Sequence, residues 1–205
     1  MENRKLGLRE RKKQEVRARS LAIAENLFRT KGYIQTSMDE IAEKAEISRK
    51  SLFNHMSSKE AILLALVDEL VRKNMPQWME TDVPHHYDVR DVIAPHLTDR
   101  LNIIAKNRWL LTMAAEHTGY YNAVKSRYID SALLSNYQSR AKRILAVQKE
   151  GKIRNDVSAE EISNYYEALR DLTIQRWLLT PGSSTKDLHQ SFDNAMKVLL
   201  RGLGP

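Results

Sequence analysis

Residues 48–56, SRKSLFNHM, constrain the fold of this chain more than any other stretch. Ser48 and Ser57 each stand where a helix begins, and the run between them has room for barely two turns. So short a helix does not persist alone in water, because nucleation fixes several dihedrals for each hydrogen bond gained. It exists only if neighbours bury its apolar residues, here Leu52 and Met56. Such a chain must wrap other helices around it.

The rest of the sequence supplies them. Glycine and proline number seven and five and fall mainly between periodic runs, at Gly32, Pro76, Pro84, Gly119, Gly151 and Pro181-Gly182. Apolar residues recur at spacings of three and four, with no sustained alternation, which predicts an all-α chain. The first helix is expected over 8–31, with Leu21, Ala24, Leu27 and Phe28 inward and Gly32 closing it. Ser37-x-x-Glu40 reads as a capping box opening a second helix, which carries Ile41, Ala42 and Ala45 inward. Ser48 caps the short third helix, about 49–55. A fourth is expected from Ser57, with Glu60 three residues on, to the mid-70s, where Pro76 ends or bends it. Further helices are expected over 89–105, 108–118, 121–149, 159–179 (with Ser158-x-x-Glu161 as its box) and 186–202. The domain division is expected at about residue 60: a small head over 1–60, with a basic arm at 1–14, and a helical body over 61–205.

Charge narrows the function. Net charge is +7, and ten Lys or Arg against four Glu place +6 of it in residues 1–31. Such a block faces a polyanion or is simply a solvated helix face. The absence of cysteine excludes disulfides, thiolate metal sites and a cysteine nucleophile, and fits a cytoplasmic protein. The N-terminus lacks the apolar core of a signal peptide, and no apolar run approaches membrane-spanning length.

The helix after Ser48 turns Arg49, Lys50, Ser51, Phe53 and Asn54 away from Leu52 and Met56. Two cations, small polar groups and an aromatic ring on an exposed helix suit a DNA major groove, where they reach base edges. A charged helix face alone means only solvation. Here, however, Thr36 and Ser37 stand at one helix start and Ser57, Ser58 and Lys59 at another, each a candidate phosphate site. His55 ends the short helix beside them. Phosphate clamps flanking a reading helix make a helix-turn-helix.

The stretch LAIAENLFRTKGYIQTSMDEIAEKAEISRKSLFNHMSSKEAIL resembles the DNA-binding domain of the TetR family of bacterial transcriptional regulators. The resemblance covers about residues 15–65. It rests on the Leu-x-x-Ala-x-x-Leu-Phe run, Gly32-Tyr33, Thr36, Ile41-Ala42, Ile47-Ser48, Leu52-Phe53, His55 and Ser58-Lys59-Glu60. It implies that Arg49, Lys50, Ser51 and Phe53 face bases, and that Thr36, Ser37, His55 and Lys59 hold phosphates. Arg17 of the basic first helix joins the phosphate set. Phe53 replaces the usual tyrosine, Met56 a common phenylalanine, Lys50 a frequently smaller residue, and Glu46 the glycine common in the turn.

For the body, the resemblance implies a small-molecule effector site. Candidates are Trp78, Trp109, Met113, His117, Tyr121, Tyr166, Thr173 and Trp177, although aromatics at helical spacing are more often plain core. It also implies a homodimer built from the last two helices, with Ile162, Leu169, Phe192, Met196 and Leu199 at the interface. Two heads about 34 Å apart would read a palindromic operator. The function implied is a ligand-responsive repressor, in a family that also includes activators.

An enzyme reading has little to stand on. His85-His86 with Asp82 and Asp88 is interrupted by Pro84, and there is no Glu-x-x-His pair, His-Glu-x-x-His, phosphate loop or serine elbow. No motif calls for a metal or cofactor. A membrane-docking first helix competes with the apolar face that must cover the helix-turn-helix.

Overall fold

The computed structural model describes residues 7–74, 88–119 and 132–204, with side chains from residue 138 in the last stretch. The ten helices among them are α1 (Leu8–Lys31), α2 (Met38–Lys44), α3 (Arg49–His55), α4 (Lys59–Asn74), α5 (Val89–Ile93), α6 (Leu97–Lys106), α7 (Arg108–Thr118), α8 (Ala132–Lys149), α9 (Ala159–Leu179) and α10 (Thr185–Gly202). No strand occurs among the described residues.

α1 buries Leu21, Ala24, Leu27 and Phe28, the expected face, while its first half projects into solvent. It ends at Gly32, whose φ of 91° suits glycine, and where an added Cβ would approach Gln35 Oε1 to 2.9 Å. The short α3 survives because Leu52 is fully buried and Met56 nearly so, both in the cluster formed by α1, α2 and α4. α4 packs against both α1 and α7, so one continuous apolar core runs from the helix-turn-helix into the body. The expected division at residue 60 falls at the start of this shared helix.

Capping departs from the sequence reading in three places. Ser37 Oγ accepts the Glu40 N–H, but the Glu40 carboxylate turns to Lys31 at 2.7 Å, so only half of the box forms. Lys31 holds Glu40 below the ordinary carboxylate range. Ser58, not Ser57, caps α4, with its Oγ accepting from Ala61 N–H. Ser184 and Asp187 form a full box that opens α10, as Ser158 and Glu161 do for α9.

The helix expected over 89–105 is two. Pro95 cannot donate to the ladder, and His96 follows with φ 54°, so α5 stops at Ile93 and α6 begins at Leu97. In the body, α8, α9 and α10 pack in sequence. Arg108 ties the α9–α10 turn to α7, donating to the carbonyls of Trp177, Thr180 and Ser183 with its guanidinium 4.2 Å above the Trp177 ring.

Candidate nucleic-acid interface

α2 and α3 meet through a turn at Glu46, whose φ is 53°. The left-handed backbone that glycine usually supplies is therefore adopted by a glutamate, at a cost of about 1 kcal/mol. Ile47 N–H closes the turn onto Ala42 O, and Arg19 approaches the Glu46 carboxylate at 3.9 Å. Ser48 then caps α3 by accepting from Ser51 N–H at 3.1 Å.

The outer face of α3 is open to solvent. Arg49, Lys50, Phe53 and Asn54 are exposed, and Ser51 is half-buried by its place beside the cap. Phe53 is 39 % exposed, large for an aromatic side chain, and Arg49 lies 5.5 Å above its ring. Arg49 also donates to Asp39 of α2 at 3.1 Å, a surface pair that holds the guanidinium at the mouth of the motif. Arg17 extends from α1 toward the end of α3, its Nη1 3.7 Å from the Met56 sulfur, and His55 is half-buried there.

Two of the expected phosphate ligands are spent inside the protein. Thr36 is 2 % exposed and donates its hydroxyl to Gly32 O at 2.8 Å, which fixes the loop entering α2. Lys59 donates to Tyr33 O at 2.7 Å and Thr36 O at 2.9 Å while sitting 4.3 Å above the Tyr33 ring. Both act as internal braces, because they donate to inward carbonyls of the loop between α1 and α2. Ser37 is exposed and Ser58 half-buried, and each hydroxyl accepts from its own helix. Beside them, Glu60 is held below the ordinary carboxylate range by its own backbone N–H and the Ser58 hydroxyl.

Tyr33 enters the sequence reading only as part of the Gly32-Tyr33 motif, with no site role, and has a central one in the structure. It is 6 % exposed, lies 5.2 Å from the Phe28 ring and stacks on His117 of α7. A loop residue belongs to no helical period, so periodicity carries no signal for it.

The candidate effector residues among those described do not gather in one place. Trp109, Met113 and His117 line an open hollow of about 470 Å³, facing Tyr33, Ile34 and Gln35 at the seam between head and body. Tyr166 is buried beneath Arg140, 4.5 Å from its guanidinium, and Trp177 is covered by Arg108. Thr173 donates to Leu169 O within α9. Trp78 and Tyr121 lie outside the described residues, as do Asp82, His85 and His86.

The residues expected at a dimer interface lie inward in the single chain. Ile162, Phe192, Met196 and Leu199 are at most 9 % exposed within the single chain, and Leu169 packs against its core. Their face joins α9 to α10 and the body. The outward apolar residues of these helices are Tyr165, Leu172, Leu179 and Val198, each more than half exposed. Among the described residues there is no helix long and apolar enough to cross a membrane and no group of metal-ligating side chains.

Residues 21–66 match the profile of bacterial regulatory proteins of the tetR family. The chain is 42% identical over 53 residues to the HTH-type transcriptional regulator EthR of Mycolicibacterium smegmatis, a match covering 26% of this chain and 24% of EthR. It is 27% identical over 181 residues to the HTH-type transcriptional repressor AcnR of Corynebacterium diphtheriae, covering 83% of this chain and 84% of AcnR. The fold is that of Thermus thermophilus FadR, a TetR-family repressor crystallised with lauroyl-CoA. The TM-score is 0.60 at 27% identity, over 91% of this chain and 94% of FadR. The head is matched by the profile, and head and body together by AcnR and FadR. The head of this chain is thus a tetR-family DNA-binding domain, and the chain as a whole is similar to TetR-family transcriptional regulators.

Proposed function

We propose that the protein is a homodimeric repressor that binds a palindromic operator and is released by a small effector. The observation that carries the reading is the face of α3. Arg49, Lys50, Phe53 and Asn54 are presented to solvent while Leu52, on the opposite side, is fully buried. A helix of this length has no stability of its own, so its rigid mounting serves the face it presents. The base-reading set is Arg49, Lys50, Ser51, Phe53 and Asn54, and the backbone-holding set is Arg17, Ser37, His55 and Ser58. Tyr165, Leu172, Leu179 and Val198 are the apolar residues available to a second copy. FadR binds lauroyl-CoA, which supports an effector site in the body of this relative too. Such a regulator works in the cytoplasm.

Footprinting on the DNA upstream of its own gene tests the reading. A protected palindrome, with affinity falling steeply as salt rises, is expected, because each phosphate contact releases counterions. Equal affinity for that DNA and a random duplex would reject it.

A further inference from the structure

A second concentration of positive charge lies in the body, away from the helix-turn-helix. Arg140 is 2 % exposed and Arg143 9 %. Both stand on α8, on the side that meets α5 and α9. Arg140 donates to the Ile93 carbonyl at 3.0 Å and to Glu167 of α9. Glu167 is shared with Arg170, which also holds Asp171 at 2.7 Å. Among the described residues, Arg143 has only neutral acceptors, the Val92 carbonyl at 3.2 Å and the Ser139 hydroxyl at 2.8 Å.

Three guanidiniums therefore meet two carboxylates among the described residues, and the surplus falls at Arg143. Burial, reinforced by the charge of Arg140, pushes Arg143 down from its ordinary value. An arginine does not relieve such a cost by losing its proton at physiological pH. The remaining remedy is a counter-charge. Beside Arg140, the Tyr166 hydroxyl is buried with no hydrogen-bond partner among the described residues, a donor within the same cluster.

We infer that the effector is an anion, carrying a carboxylate or a phosphate that sits against Arg143 and Arg140 between α8 and the end of α5. The inference rests on reading the chain as an effector-controlled regulator, and it supplies the chemical class of that effector. Arg143 keeps donor capacity beyond its two bonds, since a guanidinium carries five N–H groups in a planar fork suited to either oxyanion. A neutral ligand would leave the surplus charge in place.

The test melts the full-length protein at constant ionic strength with decanol, decanoate or decyl phosphate, each below its micelle threshold. One or both anions should raise Tm by about 5 °C, and decanol by less than about 1 °C. The better of the two anions identifies the head group. Arg143→Gln should abolish the shift, and Arg143→Lys, which keeps the charge, should retain at least half of it. If Arg143→Gln does not fold, the contrast between charged and neutral probes in the unaltered protein decides. Equal shifts from decanol and the anions, no shift from either anion, or an undiminished shift in a folded Arg143→Gln protein would each overturn the inference. DNA binding without probe is scored separately. Intact DNA binding with no anion response removes this inference alone, and an anion response without DNA binding removes the regulatory reading alone.

Discussion

His117 stacks on Tyr33 with ring centroids 4.4 Å apart and planes inclined by 14°. The contact joins α7 of the body to the loop that enters the helix-turn-helix, and Lys59 of α4 caps the same tyrosine with its ammonium. Nearby, Arg29 of α1 lies 4.5 Å above the Trp109 ring of α7. A shift of α7 therefore bears on the loop that positions α2. Such a pair should be energetically coupled: a double-mutant cycle with Tyr33→Leu and His117→Ala, followed by urea unfolding, should give about 1 kcal/mol of interaction energy. Additive effects would mean that the stack transmits nothing.

The left-handed Glu46 gives a prediction of opposite sign. Glu46→Gly should stabilise the protein by about 1 kcal/mol, since glycine adopts this backbone without Cβ strain. The lost pair with Arg19 offsets little, because both side chains are exposed, at 84% for Glu46 and 47% for Arg19. Thermal melting checks this, and an unchanged or lowered Tm would show that the turn carries no strain.

Arg49 is shared between Asp39 and the solvent face of α3. Arg49→Ala should weaken operator binding by about tenfold or more and relax sequence preference at one position of each half-site. Asp39→Asn should leave affinity the same or raise it, because it frees the cation and removes a negative charge. Titration of labelled operator by both variants decides; an unaffected Arg49→Ala protein would exclude α3 as the reading helix.

Glu167 makes a pH prediction. Against the cost of burial, the charges of Arg170 and Arg140 hold its carboxyl below the ordinary value of 4.5. Because the folded state depresses this value, the stabilisation is complete above pH 4.5 and is lost as pH falls through the lower folded value. Glu167→Gln should cost about 3 kcal/mol near neutral pH, since it leaves Arg140 buried without its carboxylate. It should also flatten the loss of stability below that pH in urea titrations. An unchanged acid branch would assign the loss to other carboxylates.

Leu172 is 52% exposed in the middle of α9. If a second copy covers it, Leu172→Asp should convert a dimer to a monomer by sedimentation while leaving the melting of the single chain little changed, because the side chain is outside the core. A dimer of unaltered mass would move the interface elsewhere.

Much of the fold is legible in the sequence because helix starts are local. Ser48 and Ser158 cap α3 and α9 as their spacing predicts, and Gly32 closes α1. The failures are equally physical. Ser57 and Ser58 are equivalent by pattern, and only the path of the chain selects Ser58 as the cap. Pro95 was readable as a break, but the apolar spacing on either side of it continues the helical period and hides the interruption. Thr36 and Lys59 look like phosphate donors in a string of residues. Which donors remain available depends on the carbonyls of Gly32, Tyr33 and Thr36, and those are turned inward by folding.

By itself the sequence determines that this chain is a set of amphipathic helices with a short, cation-bearing one near its start, because periodicity, caps and charge are properties of neighbours along the chain. The tertiary structure alone decides which faces remain open. Phe192 and Met196 turn inward and Leu172 and Val198 outward although all four are apolar, because burial depends on what packs across from a helix. For the same reason only the fold makes Tyr33 the link between head and body, and only the fold leaves Arg143 inside the body with no carboxylate partner among the described residues.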